Sequence, residues 1–171
     1  VRFYEERAKG GCGLITVHSA QGATKVDKID PYPGSIRVDD NMYVPMLSDL
    51  AEAIHRYGAK CTINISPGGG AQSLGFPYDK GSQGVYNVTR IAPGTLQSRF
   101  VGAPVRPMTV EEIHTMVDCM GWSCFNAKRA GFVFPCYGGG LPGGVEEIGK
   151  FIGGLAQRAD PVGGRQGGDS K

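Results

Sequence analysis

The chain has 171 residues, 40% of them hydrophobic and 20% charged, with 18 basic against 16 acidic side chains and a net charge of +2. No run of eighteen apolar residues could cross a bilayer as a helix, and no Lys/Arg block offers an electrostatic footprint for nucleic acid or an anionic membrane, so the expected partner is a small molecule. Glycine is over-represented, at 28 residues against the roughly 7% of average usage.

In chain order, a polar helical stretch, Tyr4 to Lys9, stops at Gly10-Gly11 and gives way to an apolar strand, Leu14 to Val17. A second helix, with Met46, Leu47, Leu50, Ala51 and Ile54 on one face, stops at Gly58 and is followed by the strand Lys60 to Ile65. A third begins at a capping box of Thr109 and Glu112 and carries Ile113, Met116, Val117 and Met120 on one face. It ends at Lys128-Arg129 and Gly131, ahead of a run of strand character, Phe132-Val133-Phe134. Glycine suits the left-handed residue after a helix, and basic side chains suit its last turn.

Helices and strands alternating in this way predict parallel βα architecture, either an open doubly wound sheet or a (β/α)8 barrel. Long Gly, Pro, Ser and Gln-rich loops, about Ser19 to Met42 and Ser66 to Met108, follow the strands, where a barrel builds its active site. From Val133 the periodicity breaks down. Pro135 and the glycine run 138–144 oppose both helix and sheet, 145–156 carries a weak helical pattern, and 161–171 reads as a disordered tail.

The five cysteines, Cys12, Cys61, Cys119, Cys124 and Cys136, are odd in number and lack CxxC spacing. This argues against a disulfide framework and a zinc site and points to a reducing, cytoplasmic setting. Neither Gly10-Gly11-Cys12-Gly13 nor the 138–144 run has the strand, GxGxxG, helix order of a dinucleotide site. Pro67-Gly68-Gly69-Gly70 directly follows a strand and is either a close backbone approach to a ligand or a plain flexible loop. His18, directly after the first strand, is either a proton donor or ligand contact or an ordinary polar residue, whereas His55 and His114 read as surface or second-layer positions. Asn64 is a polar amide in an apolar strand, which a neighbouring strand or a ligand must satisfy.

Five segments in order resemble a known family. Tyr4 to Ile15 is similar to the "Y-x-x-RAKGG-x-GLI" segment of the Old Yellow Enzymes, the FMN-dependent NADH:flavin oxidoreductases that include ene-reductases and 2,4-dienoyl-CoA reductases. His55 to Ser66 resembles "H-x-x-GAK…QLSH", Ile91 to Gly94 the "APS" segment, Arg106 to Ile113 "R-x-MT-x-EEI", and Ala127 to Phe132 "A-x-x-AGFD". A weaker likeness to "FLSP-x-x-NRRTDEYGG" continues over Phe151 to Asp160 and Gly163-Gly164.

The resemblance implies an α/β fold, a partial (β/α)8 TIM barrel (N-terminal half) with an irregular Gly-rich C-terminal segment. Residues 1–132 would be a partial flavin oxidoreductase domain, 133–160 a degenerate continuation of the barrel and 161–171 the tail. It implies cofactor-binding roles for Ser19, beside the flavin ring, and for Asn64, in place of a glutamine that meets the flavin pyrimidine edge. Pro67 and Gly70 stand where the family usually has His and Arg. The family's two substrate-binding histidine positions fall on Gly138 and Leu141, neither of which can donate a side-chain hydrogen bond, while Tyr137 offers a hydroxyl nearby.

The implied activity is ene-reductase chemistry, reduction of an activated C=C bond in an enone, enoate or dienoyl substrate, with FMN as cofactor and NAD(P)H as reductant. No metal is implied, and self-association as a homo-oligomer is compatible with it. A full barrel takes about 250 residues, so the expectation is an incomplete fragment that binds FMN weakly or not at all by itself. The competing expectation is a non-catalytic βα binding or interaction protein that has lost its flavin chemistry.

Overall fold

A computed structural model of the chain describes residues 1–29, 35–73, 89–99, 102–133 and 135–137. Its elements follow the order α1 (Arg2–Lys9), β1 (Leu14–Gln21), β2 (Ile36–Arg37), α2 (Val44–His55), β3 (Lys60–Ser66), β4 (Arg90–Ala92), β5 (Val105–Pro107), α3 (Val110–Arg129) and β6 (Pro135–Tyr137). Short 3-10 turns at Asn41–Tyr43 and Gly70–Gln72 precede α2 and follow β3.

The helices begin and end on local chemistry. Thr109 Oγ1 accepts from the Glu112 N–H at 3.1 Å while the Glu112 carboxylate accepts from the Thr109 N–H at 2.9 Å, which is the expected capping box. Gly11, Gly58 and Gly131 all have positive φ, at 92°, 81° and 97°, so each helix hands over to its strand through a conformation that glycine adopts without strain.

Four strands form one parallel sheet in the order β2-β1-β3-β6. Ile15 and Val17 from β1 and Cys61, Ile63 and Ile65 from β3 point into a single core, against Leu47, Leu50, Ala51 and Ile54 of α2 and Ile113, Met116, Met120 and Ala127 of α3. Each fully buried aliphatic side chain here contributes roughly 1.5–3 kcal/mol. The opposite face, with Leu14 57% exposed and Thr16 and His18 open, carries no helix among the described residues. Helices on one face only choose the barrel over the doubly wound sheet, and the described sheet is an unclosed arc of that barrel. β4 and β5 form a separate two-stranded parallel ribbon within the second long loop.

The structure corrects three boundaries. β1 runs on to Gln21, so His18 lies inside the strand and not after it. The segment around Pro135 joins the sheet, with Ile63 paired to Pro135, Asn64 to Cys136 and Ile65 to Tyr137. Proline is tolerated because it opens the strand, which is the outermost of the described sheet, where a missing N–H costs least. Phe132, expected to start that strand, is instead buried ahead of it at 2% exposure, with the Val133 N–H donating to the Cys61 carbonyl at 2.9 Å. Gly138, Leu141, the helical pattern of 145–156 and the tail from 161 lie outside the described residues.

Candidate active site

The register of the central strand pair changes at the C-terminal end of β1. Val17 pairs with Ile63 and Ala20 with Ile65, so His18 and Ser19 together stand opposite the single residue Asn64. Two residues facing one is a β-bulge, a device that re-aims side chains and that recurs beside active sites. It brings Ser19 and Asn64, 45 positions apart in sequence, to neighbouring places on adjacent strands. Both are half-buried, and among the described residues neither side chain makes a hydrogen bond. His18 is exposed, and its backbone N–H and C=O both meet the Tyr4 hydroxyl of α1, at 3.3 and 3.4 Å.

The loop after β3 is held by hydrogen bonds at two of its glycines. Ser66 Oγ donates to the Gly68 carbonyl at 2.9 Å, and the Gly70 N–H donates to Asp27 Oδ2 at 3.1 Å. Gly68 has φ 149°, and a Cβ there would lie 2.2 Å from Asp27 Oδ2, so only glycine fits. The Gly70 amide is thus committed to Asp27 and not offered to a ligand.

Asp27 is buried and also accepts from the Ile29 N–H at 3.3 Å. Burial raises its pKa above the ordinary carboxylate value, opposed by the hydrogen bonds from the Gly70 and Ile29 backbone and by the charge of Arg90. Arg90, wholly buried at the start of β4, donates from Nε and Nη2 to the Ser73 carbonyl at 3.2 and 3.0 Å, closing the far end of the same loop.

The loop after β1 is held by a second polar set. The buried Asp39 carboxylate accepts from the Thr24 N–H at 3.0 Å and from the Thr24 hydroxyl, and Arg37 Nε reaches it at 3.3 Å. From below, α3 supplies Ser123, whose hydroxyl donates to the Gly22 carbonyl at 2.7 Å, and Asn126, whose amide donates to the Val38 carbonyl at 3.1 Å. Gly22 itself is wedged, since a Cβ would come within 2.6 Å of Ile65 Cγ2 and 2.7 Å of Met120 Sδ.

Of the residues singled out by sequence, His18, Ser19 and Asn64 come together at the bulge, and Pro67 to Gly70 border it. His55 and His114 are exposed as expected, although His55 Nε2 lies 3.2 Å from the buried Cys61 Sγ. Tyr137 lies in β6 beside Ile65, and the Gly138 and Leu141 positions are beyond the described residues. Asp27, Arg90, Ser123 and Asn126 were not foreseen. Only Ser123 and Asn126 left a signal, as polar residues on the apolar face of a helix between Met120 and Ala127.

Known proteins match this chain in sequence and in fold. Residues 1–133 match the NADH:flavin oxidoreductase / NADH oxidase family. The chain is 30% identical over 134 residues to cinnamate reductase of Clostridium sporogenes and 31% identical over 132 residues to NADPH dehydrogenase of Halalkalibacterium halodurans, with 77% of this chain covered in both cases. It spans 19% and 34% of the length of those two relatives. The fold matches Old Yellow Enzyme from a Pichia species (TM-score 0.64, 18% identity, 92% of this chain and 47% of that one). It also matches a 2-naphthoyl-CoA reductase (TM-score 0.66, 21% identity, 92% and 27%). With 133 residues matched in sequence and the barrel arc matched in space, the chain belongs to the NADH:flavin oxidoreductase / NADH oxidase family, the FMN-dependent oxidoreductases that include the Old Yellow Enzymes.

Proposed function

We propose that this chain is an N-terminal portion of an FMN-dependent, NAD(P)H-driven ene-reductase and that it supplies part of the flavin seat. The observation that carries the reading is the bulge opposing Ser19 to Asn64 at the C-terminal end of two parallel barrel strands. A half-buried hydroxyl and a half-buried amide without partners among the described residues suit the polar edge of a heteroaromatic ring. FMN, when bound, supplies hydride transfer from a nicotinamide to an activated alkene.

The protein's own part is positional. Asn64 would meet the ring edge by its amide, and because its side chain is one methylene shorter than glutamine a bridging water or a shifted flavin would make up the reach. Ser19 would stand beside the ring. His18, exposed on the same face as Thr16 and Leu14, is placed to hold or release a proton there. The likeness to cinnamate reductase, named for an unsaturated carboxylate, supports an enoate among the enone, enoate and dienoyl class of substrates.

Titration of the whole chain into FMN, read by flavin fluorescence, tests the assignment. Weak, reversible quenching that Asn64→Ala diminishes is expected. A stoichiometric yellow chromophore retained through purification would overturn the incomplete-site part of the reading. Absence of any quenching at the highest chain concentration would overturn the flavin assignment itself.

A further inference from the structure

Besides the face that packs in the core, α3 carries a second, aromatic face that no described element packs against. Met116, Met120 and Ala127 turn into the core. On the opposite side Asp118, Trp122, Phe125 and Arg129 follow one another at i, i+4, i+7 and i+11, which at 3.6 residues per turn sets all four within an arc of about 60°. All four are exposed, the two rings at 45% and 49%. The rings touch, with centroids 5.3 Å apart, and the Arg129 guanidinium lies 5.6 Å from the Phe125 centroid while its Nη1 donates to Asn41 Oδ1 at 3.0 Å. This stripe faces directly away from the sheet. Neighbouring helices of a barrel layer pack on the flanks of such a helix, about 90° round, rather than on the side turned away from the sheet.

The order of residues along the stripe reads acid, Trp, Phe, base. In an antiparallel two-fold pairing of α3 with another copy of itself, each residue meets its mirror position in the stripe. Asp118 then meets the partner's Arg129, Trp122 meets the partner's Phe125, and both pairs occur twice. The helix dipoles also run in opposition. We infer that the Asp118–Trp122–Phe125–Arg129 stripe of α3 is a docking surface for a second copy of this chain, packed antiparallel about a two-fold axis. Twelve residues of helix span only about 17 Å, so the contact is small and the dimer is weak and concentration-dependent.

Trp122 is the chain's single tryptophan, so the unaltered protein reports on its own interface. Raising the concentration of the full chain toward the millimolar range is expected to move Trp emission to shorter wavelength in parallel with a rise in sedimentation coefficient. Asp118→Arg and Arg129→Asp are each expected to weaken dimerisation about tenfold, because each puts like charges opposite one another at two places. The double variant restores it, since the crossed pairs re-form with signs exchanged. A chain that stays monomeric throughout, a dimer indifferent to both reversals, or a double variant as weak as the singles would overturn the inference. So would a stripe that becomes covered only when additional polypeptide is supplied.

Discussion

The carboxylate of Asp27 and the amide of Gly70 are joined by a 3.1 Å hydrogen bond across 43 residues of sequence, tying the loop after β1 to the loop after β3. Gly68 is fitted against the same carboxylate, within the volume a Cβ would need. Asp27→Ala leaves the Gly70 and Ile29 N–H groups without their acceptor and is expected to cost about 1–3 kcal/mol in urea unfolding. Gly68→Ala, which adds both a collision and an unfavourable φ, is expected to cost a similar amount.

The same carboxylate gives a pH signature. Its pKa is raised in the folded protein, so its contribution is fully present below the ordinary carboxylate value and is lost as pH rises through the folded value. Asp27→Asn, which cannot ionise, therefore gains on the wild type as pH rises. Paired unfolding curves across the acid range, with the difference plotted against pH, measure this directly.

Glu112 behaves in the opposite sense. The Arg106 guanidinium, at 2.6 and 2.8 Å, and the Thr109 N–H hold its pKa down at about 2. Its contribution is present above the ordinary value and is lost as pH falls through the folded one. Glu112→Gln is expected to cost about 1 kcal/mol near neutrality, the usual worth of a cap and a partly exposed ion pair. The cost should fade between pH 4.5 and 2, which helix content by circular dichroism at each pH would follow.

What the sequence made legible was periodic or local. The three helices, two of the sheet strands and the Thr109–Glu112 capping box follow from spacing and from interactions within a few residues. Asn64 also stood out, because an amide in an apolar strand has few bland explanations. Asp27 and Arg90 left no local trace, since their partners Gly70 and Ser73 are 43 and 17 residues away and a lone Asp or Arg in a polar loop looks solvated. The bulge was equally hidden. It is a property of register between two strands, and β1 alone reads as continuous.

Cysteine reactivity follows burial. Cys12 is exposed, whereas burial pushes the Cys61 and Cys124 thiols up to about 11. Because the thiolate is the reacting species, brief alkylation of the native chain at pH 8 should mark Cys12 well before Cys61 or Cys124. Peptide mass mapping at timed quenches checks the order, and denaturant should bring the rates together.

Asn64 offers the most direct test of how the site departs from a glutamine-bearing one. Its backbone is fixed on both sides, by pairing with Cys136 of β6 and by the bulge of β1, so a change of side chain alters reach without moving the strand. Asn64→Gln adds one methylene toward the open face, where the side chain is already half-exposed and needs no core volume. If the amide meets the flavin edge through a water, the longer side chain replaces that bridge with a direct hydrogen bond, and FMN affinity should rise about three- to tenfold, the worth of one hydrogen bond of about 1 kcal/mol. Asn64→Leu fills the same space without a donor or acceptor and should lower affinity by a similar factor. Fluorescence titrations of the three chains side by side separate recognition from packing: a purely steric role predicts that Gln and Leu shift FMN affinity in the same direction, and a recognition role predicts opposite directions.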